Sequence, residues 1–229
     1  IMRFVDIKDR VHSTVIEQLA YNRSKYSTSW YAKYHEKIKH SKWNHHKWKG
    51  LTLMKDPMTL SIYMMMFQDL KPKTILEFGT YDGGTALWME DTLKSLSIEC
   101  DIHTFDINQE IIKLPEDSKI ICHELDNNKI DEFIDQKRNF FEGLEGPILM
   151  IEDSHVNAAR LVKSMDQFLK IGDYLVIEDT LSKPKYDETI LSGNGINTKI
   201  YKVDTHYCDL WGLNNTWNVN SIFKKMEFE

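Results

Sequence analysis

Thr74-Ile75-Leu76-Glu77-Phe78-Gly79-Thr80-Tyr81-Asp82-Gly83-Gly84-Thr85 is the stretch whose reading decides the fold. A short apolar run leads straight into a glycine-containing loop, and a helical pattern then continues to about Leu96. Strand, tight loop and helix in that order open a βαβ unit. Glycines let the backbone turn sharply and approach a ligand without a Cβ clash. The loop is not Gly-x-Gly-x-x-Gly, so it fits a dinucleotide fingerprint poorly, and no Gly-Lys-Ser/Thr follows, which excludes a P-loop. An acid, Glu77, ahead of a looser glycine loop suits a cationic, amino-acid-bearing cofactor better than a pyrophosphate. A structural βα turn is the competing reading.

The same alternation extends outward. Upstream, Asp56 can cap a helix that begins at Pro57 and stops at Lys71-Pro72. Downstream, strands are predicted over 101–106, 119–124, 148–152 and 173–178. Helices are predicted over 129–141 and from an Asp153-Ser154 cap to about Ile171, where Gly172 ends the run. Two further strands, 199–203 and 218–223, have no evident crossover helix between them. Short apolar strands bounded by helices imply a parallel sheet covered on both faces, with right-handed crossovers. The expected fold is therefore α/β: a doubly wound, mostly parallel seven-stranded sheet with an antiparallel edge hairpin. Residues 1–50, rich in Lys, His, Tyr and Trp, read as an N-terminal helical extension, a lid or oligomer contact. Residues 51–229 read as the main domain.

Composition narrows the function classes. The chain has 229 residues, 41% of them hydrophobic, which is enough for one sizeable core. A net charge of -6 gives no global basic footprint, so a nucleic-acid partner is not expected. No apolar run approaches the ~20 residues of a membrane span. The start, Ile1-Met2-Arg3-Phe4, does not read as a signal peptide, so a cytoplasmic protein is expected. Cys100, Cys122 and Cys208 have neither a disulfide framework nor zinc spacing, and are expected to be buried free thiols. The His35, His40, His45, His46 group is irregularly spaced and lacks a cysteine partner, so it reads as a surface or lid segment.

In open α/β sheets, ligands sit outside the carboxyl ends of the strands. The unusual polar residues fall there: Glu77 and Gly79, then Asp106, Asp153, and Glu178-Asp179. Asp106 can accept ribose hydroxyls, or simply cap a helix. Asp153, Glu178 and Asp179 would repel one another unless a cation or protons neutralise them. All-oxygen ligands select a hard ion, Mg²⁺ first, with Mn²⁺ or Ca²⁺ also suitable. The plainer alternative is a helix cap at Asp153 and a solvated turn at 178–179.

At these residues the chain resembles a known group. Glu77 to Thr85 looks like the cofactor loop of catechol O-methyltransferase-like enzymes. A closer resemblance is to the cephalosporin hydroxylase family of class I, Rossmann-like methyltransferase-fold proteins. It is carried by Trp48-Lys49-Gly50 through Lys55-Asp56-Pro57 to Leu60, by the glycine loop, and by Ile151 to His155 with Tyr174 to Thr180. The resemblance implies S-adenosylmethionine (SAM) as cofactor, with Gly79, Tyr81 and Thr85 at its methionine part and Asp106 at its ribose. The full cofactor set taken forward is Glu77, Gly79, Tyr81, Thr85, Asp106 and Leu125. It also implies Asp153, Glu178 and Asp179 as magnesium ligands. The family often reads Asp-Ser-x-His near the fourth strand, whereas His155 follows Ser154 directly. Position 156 is Val, and no equivalent of the catalytic lysine of the catechol enzymes is evident.

The expected reaction is metal-dependent O-methyl transfer from SAM to a hydroxyl of a small molecule, in specialised or saccharide metabolism. Asp153, through the metal, and His155, as base, form the candidate catalytic pair. His206, between the last two strands, and the Ser192-Gly193-Asn194-Gly195 loop are further candidates for the acceptor side. The aromatic N-terminal arm would allow a homo-oligomer. Two other classes stand beside this one: a metal-dependent, hydroxylase-like enzyme on the same fold that transfers no methyl, and a non-catalytic binding protein.

Overall fold

Four central strands run parallel and end at one level, and this register places the site. In the computed structural model, which describes residues 3–10, 46–212, 214 and 216–227, they are β4 (Thr74–Phe78), β5 (Asp101–Asp106), β7 (Ile148–Glu152) and β8 (Tyr174–Ile177). Phe78 pairs with Phe105 and with Glu152, and Glu152 pairs with Ile177. The residues that follow, Gly79, Asp106, Asp153 and Glu178, therefore emerge along one edge. β4 and β7 are buried along their whole length, as expected of strands covered on both faces.

The sheet has eight strands in the order β1 (Phe4–Val5), β9 (Tyr201–Asp204), β10 (Ile222–Lys225), β8, β7, β4, β5 and β6 (Ile121–Glu124). β6 closes one side in parallel with β5. On the other side β9 and β10 pair antiparallel, and β10 pairs antiparallel with β8. The expected hairpin is present but is not the edge. β1 pairs antiparallel with β9 outside it and makes the eighth strand. Two residues are too few for a readable alternation. Arg3 anchors this strand through hydrogen bonds to the buried Asp204 carboxylate, at 3.0 to 3.2 Å.

The helices follow the sequence closely. Asp56 caps α1 (Pro57–Leu70), accepting from Met58 N and Thr59 N. The helix buries Ile62, Tyr63, Met66 and Phe67 at helical spacing, so the methionine run is part core and part surface, with Met64 exposed. α2 (Gly84–Ser95) follows the glycine loop, and α3 (Ile130–Glu142) precedes β7. α4 (Ala158–Met165) begins later than expected. Asp153 and Ser154 do not cap it, because His155 and Asn157 take left-handed φ values of 60° and 50° and hold residues 154–157 as a loop.

The extension assigned to residues 1–50 is only partly in view, because residues 11–45 lie outside the described residues. What is described there is β1, a single 3₁₀ turn, and β2 (His46–Trp48), which forms a hairpin with β3 (Leu51–Leu53). Among the described residues, no helix is long and apolar enough to cross a membrane. Cys208 is buried as expected, but Cys122 is exposed, since it lies on the edge strand β6.

Candidate active site

Along the common strand edge lies a cavity of about 540 Å³. That size suits a drug-sized ligand or nucleoside cofactor. Of the expected cofactor residues, Gly79, Tyr81, Asp106 and Leu125 line it. Glu77 and Thr85 do not. Glu77 is buried within the sheet, where its Oε2 accepts from Thr104 Oγ1 at 2.7 Å, and Thr85 is buried in the first turn of α2. Burial pushes the Glu77 carboxyl up to about 8. Its Oε1 has no hydrogen-bond partner among the described residues, an unmet acceptor directly behind the loop.

The glycine loop is held by Asp106. Its Oδ2 accepts from Thr80 N and Tyr81 N at 3.1 and 2.9 Å, and its Oδ1 accepts from Asn108 N at 3.0 Å. A carboxylate offers about four lone-pair sites, so one remains for a ligand hydroxyl. Gly79 adopts φ 110°, and a Cβ there would fall 2.7 Å from the Asp153 carbonyl carbon and oxygen. Only glycine fits this cradle. Apolar walls from Met54, Phe105 and Leu125, one unspent carboxylate site and a bare loop backbone together fit an adenosyl amino-acid cofactor.

Asp153, His155 and Asp179 line the same cavity. Each offers one ligand atom, and these atoms lie within 4.8 Å of one another. His155 Nε2 is 3.1 Å from Asp179 Oδ2 and 3.6 Å from Asp153 Oδ1. Its Nδ1 faces Lys185 Nζ at 2.6 Å. The Asp179 hydrogen bond, working against partial burial, holds the His155 imidazolium above its ordinary range. Burial works against the Asp179 charge, but the His155 hydrogen bond and nearby cations keep that carboxyl low. Two carboxylates and an imidazole fit a hard or borderline divalent ion, Mg²⁺ or Mn²⁺.

Glu178, the third expected ligand, points elsewhere. It is buried, and its Oε1 accepts from Tyr63 OH and lies 3.4 Å from Lys55 Nζ. Burial pushes its carboxyl up to about 7, and burial likewise raises Asp153 despite the attraction of Lys55. β8 ends at Ile177, and in the turn that follows Asp179 takes a left-handed φ of 56°, which sends its side chain away from that of Glu178.

Two lysines were not singled out in the sequence. Lys55, just ahead of the α1 cap, places Nζ 2.5 Å from Asp153 Oδ2. Lys185, on the short helix α5 (Lys183–Tyr186), pairs with the buried Glu152 at 2.9 Å and faces His155. No local pattern marks either one. His206 and the 192–195 loop do not line the cavity.

The sequence profile described as Rhamnosyl O-methyltransferase/CmcI matches residues 40–194, more than half of the chain. Rhamnosyl O-methyltransferases of Mycobacterium bovis and Mycobacterium tuberculosis are 24% identical to it over 135 residues, covering 57% of this chain and 55% of theirs. The chain thus matches about half the length of these curated relatives. Among solved structures, CmcI with Mg and SAM is 26% identical at a TM-score of 0.66, covering 82% of this chain and 79% of that one. An apo structure of CmcI is 24% identical at a TM-score of 0.67, covering 80% and 76%, and supports the fold alone.

Proposed function

This chain belongs to the Rhamnosyl O-methyltransferase/CmcI family, and we propose that it is a SAM-dependent O-methyltransferase that uses a divalent metal beside the cofactor. The acceptor is a small molecule bearing one or more hydroxyls, of the saccharide or specialised-metabolite class. The observation that carries the proposal is that Asp153 and Asp179 stand in the same cavity as Gly79 and Asp106. The relatives named for rhamnosyl methylation and the likeness to CmcI with Mg and SAM support it.

When bound, SAM supplies an electrophilic methyl group and a hard ion lowers the pKa of an acceptor hydroxyl. The chain's own residues do the positioning. Gly79 brings bare backbone to the cofactor's amino-acid part, Tyr81 and Leu125 flank it, and Asp106 keeps one acceptor site for a ribose hydroxyl. Asp153 and Asp179 would hold the ion, while Glu178, the third carboxylate of the expected set, is engaged by Tyr63 and Lys55. His155 stands at the cavity with Nε2 on Asp179 and Nδ1 facing Lys185, and it acts as base only as the neutral imidazole, with one ring nitrogen released to the acceptor hydroxyl. Fixing the hydroxyl oxygen in line with the methyl group converts a bimolecular encounter into a positioned one.

A thermal-shift titration tests the binding half. SAM and Mg²⁺ should each raise the melting temperature, since each binds only the folded state. Release of S-adenosylhomocysteine from SAM with hydroxylated sugar acceptors, abolished by EDTA, tests the reaction. A melting temperature indifferent to both ligands contradicts the proposal.

A further inference from the structure

Lys55 has no part in the chemistry just described, yet it is the most deeply placed cation of the site. Only 5% of the residue reaches solvent. Lysines are almost never so buried unless paired. Its ammonium lies 2.5 Å from Asp153 Oδ2 and 3.4 Å from Glu178 Oε1. Those carboxylates follow neighbouring strands, so Lys55 bridges the ends of β7 and β8. The other Asp153 oxygen, Oδ1, faces His155 and the cavity.

We propose that Lys55 is an internal counter-ion filling the gap between Asp153 and Glu178, and that Lys55 in this position and a metal ion shared by these carboxylates exclude each other. The inference rests on the reading of Asp153 as a metal ligand. Three clustered carboxylates need a compensating charge to persist in a buried site. Without metal, Lys55 provides one. A hard ion at its usual bond length of ~2.0–2.1 Å from these oxygens would stand beside the ammonium in a low-dielectric setting. The two cations would repel strongly there. A lysine can yield, because its charge is compact and its four-carbon stem is flexible. Displacing it lowers the apparent metal affinity by the fraction of protein in which Lys55 has already left. Glu178, now held by Tyr63 and Lys55, becomes free to join the ligand set once Lys55 withdraws.

The opposite role is a supporting one, in which Lys55 orients Asp153 for the metal. The two roles predict opposite signs. Calorimetric titration of Mn²⁺ into the full chain, with Lys55→Met and Lys55→Gln, separates them. Exclusion predicts that both variants bind Mn²⁺ at least about tenfold more tightly than the wild type. It also predicts a lower metal-free melting temperature and a larger rise on saturation with Mn²⁺. Unchanged or weaker Mn²⁺ binding in a folded variant overturns it. Lys55→Gln keeps an amide donor for Asp153 and carries the test if Lys55→Met does not fold. Asp153→Asn is the control. If the wild type binds Mn²⁺ and Asp153→Asn does not, but the Lys55 variants show no tightening, only the exclusion fails. If neither the wild type nor the Lys55 variants bind Mn²⁺, the metal site fails with it.

Discussion

The Gly79 and Asp153 backbones press together so closely that a Cβ on Gly79 would lie 2.7 Å from the Asp153 carbonyl carbon. This contact couples the loop assigned to the cofactor with the strand end assigned to the metal. Asp153 N also donates to Phe78 O at 2.8 Å, and Gly79 N donates to Phe105 O at 2.8 Å, so three strand ends share the junction. Gly79→Ala should cost about 2–4 kcal/mol, from left-handed backbone strain plus overpacking. Denaturant unfolding of the ligand-free protein measures it, and the SAM-induced thermal shift should shrink in parallel.

Tyr63 and Glu178 form a buried pair, and neither lines the cavity. Tyr63→Phe leaves the Glu178 carboxylate with one donor fewer in a site closed to water. Metal-free stability should fall by about 1–3 kcal/mol, the penalty for a buried polar group deprived of a partner. Urea unfolding checks it. An unchanged midpoint would mean that Glu178 does not depend on Tyr63.

Asp179 sets the charge of His155. Its hydrogen bond is the main reason the imidazolium is held above the ordinary range. In metal-free protein, Asp179→Asn should bring the His155 pKa down toward ~6.5. Titration of the ring resonances by NMR reads this directly, and a pKa that does not fall would remove Asp179 as the cause.

The strand ends were legible because acids stand at or beside the ends of apolar runs: Glu77 lies one residue before the end of β4, Asp106 ends β5, Asp153 follows β7, and the strand register brings these ends level. What followed those ends was not legible. Asp153 and Ser154 look like a helix cap, but Glu152 Oε1 accepts from Ser154 N and His155 N at 3.1 and 3.0 Å and folds the chain into a loop. Glu178 and Asp179 look like equivalent ligands, yet a single left-handed residue turns one to the cavity and leaves the other with Tyr63 and Lys55. Lys55 reaches Asp153 across 98 residues of sequence, a distance no local pattern spans. The first strand contributes only Phe4 and Val5, below the length at which alternation is visible.

His103 and His123 make a pair on neighbouring strands, with Nδ1 and Nε2 3.1 Å apart. Burial, with His103 and Lys137 adding to it, pushes His123 down to about 4. The unfolded chain takes up a proton near pH ~6.5 that the folded chain refuses until about 4. Stability is therefore full above ~6.5 and falls as pH drops through this window. The loss is on the order of 2 kcal/mol after allowing for the partial exposure of His123. His123→Gln, which keeps an amide toward His103, should flatten the acid limb of a stability-versus-pH curve, and an equally steep limb in the variant would argue against this origin.

The central claim is that cofactor and metal share one cavity. Crystals grown with S-adenosylhomocysteine and Mn²⁺ test it most directly, through the anomalous signal of manganese. The account predicts one peak at coordination distance from the Asp153 and Asp179 carboxylates, beside a cofactor that rests on Gly79 and reaches Asp106. A cofactor bound there with no manganese peak at Asp153, or with the peak elsewhere, would contradict it.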